Sequence, residues 1–341
     1  MKVLAIGPLW RGSNAGGLFR AMSRQGCLLE IVDEFYYISL QTKKKYTKIL
    51  ERLIRPLQFA EFNNAIKKKI DIFKPDVTFV YKGAFVFPGT ILYAKKHSII
   101  VVMFFPDVSM TNHGTNSPKS IPLYDLIFTT KTYGINDLKN MYNFGNAHFI
   151  EHGFDPEIHK KISLPNIENS DFICDVSFIC TYSPKKGLWL SEVKKHLPDI
   201  YLKIWGGQWE KATDPYIKNS IQYSAVFGDL YAIAIQSSKI NLGILSESAI
   251  GSSSGDLIAS RTFHIPGSDG FLLHEKNNES TQYFKENEEA AFFDGPEELV
   301  SQIKFFLSNP HIREKIKDAG YERALKDHSL DSRAEIAIKH I

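Results

Sequence analysis

With 341 residues, 43% of them apolar and 23% charged, the chain has the composition of a soluble globular protein and enough length for two cored domains. No apolar run approaches the roughly 20 residues of a membrane span, and the three cysteines, Cys27, Cys174 and Cys180, have neither disulfide-framework nor metal spacing. They read as small core residues in a reducing compartment, and the start MKVLAIGPLWRG, interrupted by Gly-Pro, is no signal peptide; a cytoplasmic location is expected.

In chain order, KVLAIGPLW (2–10) predicts a strand, followed by a Gly/Ser/Asn loop, a helix reaching Gly26 and a second strand LLEIVDE (28–34). The net charge is only +3, yet residues 43–74 hold ten Lys or Arg against three acids, interleaved with Ile49, Leu50, Leu53, Ile54, Leu57, Phe59, Phe62 and Ile66. This basic amphipathic stretch, expected to break at Pro56, suits an anionic membrane surface or an acidic acceptor, or is simply a solvated helix face. It lacks the aromatic interleaving or finger motifs of a nucleic-acid binder. PDVTFVYKG (75–83), IIVVMFFPD (99–107), LYDLIFTT (123–130) and AHFIEHGFD (147–155) read as further strands, with PGTILYAKKH opening a helix on proline.

The rhythm restarts at Asp175. CDVSFIC (174–180), IYLKIWGG (200–207), KINLGIL (239–245) and FLLHE (271–275) are strands, with a helix starting near Leu188 and a helical tail from Gly295. Strands alternating with helices imply parallel sheets covered on both faces: an α/β chain of two Rossmann-like domains facing a central cleft. The expected division is 1–158, a polar linker 159–173, 174–325, and a terminal helix 326–341 packing back on the first domain.

In such sheets ligands bind after the carboxyl ends of the strands. GPLWRGSNAGGLF (7–19) is neither a GxGxxG fingerprint nor a P-loop; its Gly12, Ser13 and Asn14 form an acceptor-contacting turn or a structural one. TYSPKKG (181–187) offers Thr181, Tyr182 and Lys185 to an anion at a helix entry, though surface lysine pairs are common. SRTFHIPGSDGFLLHE (260–275) places Ser260 as a helix cap, Arg261 at the first position as a bidentate phosphate ligand, and His264 three residues on, on the same face. Taken alone, His264 reads as a hydrogen-bonded core histidine; it is the whole constellation that points to a site.

The succession DVSFIC…PKKG, IWGGQW, SSKINLGI, SRTFHIPGSDGFLLHE and HIREKIKDAGYERALKDHSL resembles the C-terminal half of CgeB-type glycosyltransferases, GT-B enzymes related to family 4. The likeness covers about 120–330 and is strongest over 175–329, with FPD (105–107) and YDLIFTT (124–130) as the marks in the first half. It implies a nucleotide-sugar donor held by the second domain, an acceptor (glycan, lipid-linked or protein) approaching from the first, and no metal or other cofactor. It also implies Gly206, Gly207 and Phe227 near the nucleobase. Relatives carry a ribose-binding Glu and an acid eight residues earlier; here these positions are His264 and Asp256, so one carboxylate is replaced. Arg261 and Lys185 would stabilise the leaving diphosphate, and Asp107, ahead of His113 and Asp33, would deprotonate the acceptor. His264 leaves room for another reading, a two-lobed nucleotide-binding or regulatory protein without turnover. An epimerase of the same fold group would need more acids and histidines, and a dehydrogenase would need the missing fingerprint.

Overall fold

The computed structural model describes residues 1–38, 45–111, 116–162 and 171–341, with the backbone alone for 45–52. The chain divides into two compact units: residues 1–151, 248–254 and 333–341 form unit 1, and 152–247 with 255–332 form unit 2.

Unit 1 carries β1 (Lys2–Gly7), α1 (Asn14–Arg24), β2 (Leu28–Asp33), α2 (Glu34–Tyr37), α3 (Lys45–Phe73), β3 (Val77–Tyr81), α4 (Pro88–His97), β4 (Ile100–Phe105), α5 (Asn116–Ser120), β5 (Leu126–Thr129), α6 (Gly134–Tyr142) and β6 (Ala147–Phe149). Its strands pair in parallel in the order β2-β1-β3-β4-β5-β6. β3 and β4 are buried along nearly their whole length, which is why they read as continuous apolar runs. Phe62, Ile66 and Ile70 of α3 enter the core beside Leu4, Val80 and Met103. The break expected at Pro56 does not occur: α3 runs through it. Pro56 is exposed, and the later turns of the helix are anchored in the core.

Unit 2 carries β7 (Cys174–Ile179), α7 (Pro184–His196), β8 (Leu202–Trp205), α8 (Asp229–Gln236), β9 (Ser238–Gly243), α9 (Ser260–Gly267), β10 (Leu272–Glu275), β11 (Ala291–Phe293), α10 (Gly295–Ser308) and α11 (Pro310–Asp327); α12 (Leu330–His340) follows, with residues 333–341 belonging to unit 1. The strands pair in parallel as β11-β10-β9-β7-β8. A buried polar pair pins this register: the Ser177 hydroxyl donates to Asn241 Oδ1 at 2.6 Å across β7 and β9. Residues 152–158 group with unit 2, where Phe154 bridges to Ser329, its N–H donating to the His328 carbonyl at 3.0 Å. In unit 1 the α12 residues Arg333 and His340 meet Glu151 and Phe128. Among the described residues no helix is long and apolar enough to cross a membrane.

Candidate functional site

In unit 2 the step from β9 to α9 is built before Arg261 is reached. The cap position falls on Ala259, in extended backbone, and the helix begins at Ser260, one residue earlier than expected. Thr262 Oγ1 accepts the Ala259 N–H at 3.1 Å and donates to His274 Nε2 at 2.8 Å, while His274 Nδ1 donates to the Glu275 carbonyl at 2.6 Å. Burial brings His274 down to about 4, so it stays neutral and accepts from Thr262. A Cβ on Gly243 would lie 2.5 Å from His274 Cδ2, so this ring packs only over a glycine. Ser260 Oγ lies 3.2 Å from His152 Nδ1 rather than capping the helix.

The half-buried Arg261 guanidinium is held on two sides. Nη1 donates to Cys180 Sγ at 2.9 Å, Nη2 to the Ile244 carbonyl at 2.8 Å, and the fork sits 5.7 Å above the Phe178 ring. Its Nε has no hydrogen-bond partner among the described residues. Cys180, expected in the core, is half-exposed and is one of the groups that aim this arginine.

His264 is buried, stacked on His159 at 3.8 Å between ring centroids and edge-on to Tyr231 at 5.9 Å. Burial, with His159 and Arg261 adding to it, holds it well below the usual imidazole range; the Gly153 backbone bonds one side of the ring. Its Nε2 has no partner among the described residues. His159, brought to about 3 by burial, accepts the Asp155 N–H at Nδ1 at 3.0 Å. Nothing in the pattern around His159 marks it, because its role is a ring contact 105 residues away in the chain.

At the entry to α7 the anion position is already filled from within. Glu247 accepts the Ser183 hydroxyl at 2.7 Å and the Lys185 N–H at 2.9 Å. Burial pushes its carboxyl up, but these donors and nearby Lys186 outweigh that and leave it below the ordinary range. Lys185 Nζ pairs with Glu275 Oε1 at 2.6 Å, and Glu275 Oε2 accepts the Leu245 N–H at 2.9 Å. Sequence reasoning passed over both glutamates: only folding brings them to the helix entry.

Thr181, Tyr182, Gly206 and Gly207 come together at the ends of β7 and β8. Tyr182 N–H donates to the Gly207 carbonyl at 3.0 Å, and its ring meets Trp209 edge-on at 5.2 Å. Gly206, at φ +134°, would place a Cβ 2.0 Å from the Cys180 oxygen, so only glycine fits. Its N–H donates to Ser224 at 2.9 Å, tying in the loop that carries the exposed Phe227. The half-buried Asp256 is fixed by its N–H to the Ser246 carbonyl at 2.9 Å.

In unit 1, Gly12 has φ +91° and Ser13 caps α1, accepting the Gly16 N–H at 3.0 Å and donating to the Pro8 carbonyl at 2.7 Å. Ser13 is thus engaged within the turn, while the Asn14 side chain bonds the buried Tyr81 hydroxyl. Asp33 Oδ1 accepts the N–H groups of Leu9 and Phe35, each at 2.9 Å. Asp107 pairs with Lys82 at 2.6 Å. His113 lies outside the described residues, as do Lys43 and Lys44 of the basic stretch. No cluster of three or more His, Cys, Asp or Glu suited to a metal occurs among the described residues.

Residues 185–339 match a protein family described as glycosyl transferase-like. The whole chain resembles sucrose-phosphate synthase of Thermosynechococcus elongatus (9% identity, 99% of this chain and 98% of that one, TM-score 0.67). It also resembles a glycosyltransferase of Rickettsia africae (14%, 99% and 97%, 0.65) and Anabaena HepE crystallised with UDP and glucose (11%, 99% and 98%, 0.64). No curated protein matches the chain in sequence. The structural likeness establishes the GT-B fold, and the family match the type of activity. The chain is a GT-B glycosyltransferase. Within this glycosyltransferase, Arg261, Lys185 and His264 all fall in the family-matched region.

Proposed function

We propose that this enzyme, of the CgeB type, moves a sugar from a nucleoside-diphosphate donor to a hydroxyl of a glycan, lipid-linked or protein acceptor without a metal. The observation that carries the reading is Arg261, pre-aimed by Cys180 and Ile244 at the start of α9 and at the carboxyl ends of β7 and β9. Its guanidinium and the first-turn amides of α9 neutralise the diphosphate as charge develops on the leaving oxygen. His264 offers its unpartnered Nε2 to a ribose hydroxyl, and Asp256 meets the donor sugar. Thr181, Tyr182, Gly206, Gly207 and Phe227 form the base side. Lys185 joins only by exchanging Glu275, so it ranks below Arg261. We assign Gly12, Asn14 and Asp107 to the acceptor.

We place the enzyme in the cytoplasm, resting on anionic membrane through 43–74. Leu53 and Leu57, each 71% exposed on α3, and Tyr36 of α2 at 80% are apolar surface beside that basic charge. The test of the central claim is thermal unfolding with UDP, GDP, ADP and TDP and their sugars. One nucleotide raises the melting temperature of the wild type by mass action, and Arg261→Ala abolishes the rise. A chain that answers to none of them is not a nucleotide-sugar enzyme. The imidazole at 264 favours the rival reading of a binder without turnover; stabilisation by a donor with no release of diphosphate under any condition selects it.

A further inference from the structure

α8 opens in unit 2 on Gly228, whose φ of +57° turns the chain from the exposed Phe227 into the helix. Tyr231, in the first turn, gives its N–H to the Gly228 carbonyl at 3.1 Å and is only 8% exposed. Its ring stands edge-on to two imidazoles, His159 at 5.4 Å and His264 at 5.9 Å between centroids. That packing accounts for the ring but not for the hydroxyl, which is buried and meets no partner among the described residues. Burial raises the phenol above its ordinary value, with Arg261 drawing it down and Cys180 adding to the rise, so it stays protonated and can donate.

Arg261 shows the same pattern. Cys180 and Ile244 take its two terminal nitrogens, and the Nε atom is left buried without a partner among the described residues. His264, three residues on along the same face of α9, has its open Nε2. The three unpartnered atoms thus belong to side chains that are ring or electrostatic neighbours within one unit. An unmet buried polar group costs stability, and a cluster of three is explained by a ligand that meets them.

We propose that the Tyr231 hydroxyl donates to the diphosphate of the nucleotide, binding a phosphoryl oxygen beside Arg261 Nε, a role that rests on the glycosyltransferase reading and deepens it. An O–H and an N–H donor, the second carrying a full positive charge, suit an anion. His264, neutral near pH 7, suits an uncharged ribose hydroxyl. The cluster is therefore divided between the two parts of the nucleotide, phosphate to Tyr231 and Arg261, ribose to His264.

Titration calorimetry of Tyr231→Phe with UDP and with uridine tests this, or with the diphosphate that stabilises the wild type and its nucleoside. UDP affinity falls by about 10–100-fold, the range for a hydrogen bond to a charged group, while uridine affinity is unchanged. Without nucleotide the variant melts at or above the wild-type temperature, because a hydroxyl with no partner is removed and the ring stays. Wild-type affinity for UDP overturns the assignment, and so does an equal loss for UDP and uridine, which moves the hydroxyl away from the phosphates. A lower melting temperature of the free variant overturns it too, since the hydroxyl then has a partner inside the protein. A wild type that binds no nucleotide removes the parent reading instead, and this assignment with it.

Discussion

Arg261 Nη1 lies 2.9 Å from Cys180 Sγ, a contact between the first turn of α9 and the residue that follows β7. Together with the 2.8 Å bond to Ile244, it sets the plane of the guanidinium before any ligand arrives. Lysine cannot hold both partners at once. Arg261→Lys should therefore lower diphosphate release by about 10²–10³-fold, the loss typical of one preorganised charge-stabilising donor. Steady-state release assays on donor sugar check it, and near-wild-type turnover would show that a point charge suffices.

Gly206 decides the geometry of the neighbouring turn. A methyl group there meets the Cys180 oxygen at 2.0 Å from a backbone at φ +134°, and neither can relax without moving the end of β7. Gly206→Ala should cost on the order of 2–4 kcal/mol and loosen Tyr182 from Gly207. Thermal and denaturant unfolding measure the loss; Gly207→Ala, with nothing within 4 Å of its Cβ, is the control expected to melt like wild type.

Buried neutral histidines make unit 2 acid-sensitive. His274 is brought from 6.5 to about 4 by burial, and the unfolded chain takes up its proton at the ordinary value. Its contribution is complete above about pH 6.5 and falls by roughly 1.4 kcal/mol per pH unit as the medium is acidified, levelling near the folded value. His159, brought to about 3, adds the same sense. Unfolding at pH 7.5, 6 and 5 should show the decline, and His274→Asn, which does not titrate, should show a shallower one.

The α2–α3 surface should drive vesicle binding if it meets a membrane. Sedimentation with phosphatidylserine vesicles is expected for the wild type at low salt, weakening as salt is raised. Leu53→Glu with Leu57→Glu should abolish it without shifting the melting temperature, because both side chains are exposed. Equal binding to neutral vesicles would speak against the basic stretch as the determinant.

His264→Phe keeps a flat ring against His159 but removes the open Nε2. Nucleotide affinity should fall by about tenfold, the scale of one lost hydrogen bond, and the melting temperature should drop as well, because the ring's bond to the Gly153 backbone is lost with the imidazole. Unchanged affinity, measured by titration calorimetry, would make His264 a packing residue.

The doubly wound architecture was legible because parallel strands buried on both faces write themselves as apolar runs such as VTFVY and IVVMFF, bounded by turn residues. α8 and β11 passed unnoticed: α8 is eight residues of mostly apolar character, and β11 is three residues, too short for either period to register. Pro56 misled in the other direction, since propensity marks a break where tertiary anchoring of Phe62, Ile66 and Ile70 sustains the helix.

Local spacing in the sequence determined that Arg261 and His264 would share a helix face at a strand-helix switch. What each touches was decided by the fold. Cys180 lies 81 residues before Arg261, His159 is 105 before His264, and Glu275 is 90 beyond Lys185. Hydrogen bonds and ring contacts act over a few ångströms, and chain order does not record which distant residues the parallel crossovers bring within that reach. The strand-and-turn pattern could therefore point to the edge of the sheet where a ligand binds, while only the packed structure could say that Glu247 fills one helix entry and Glu275 holds Lys185.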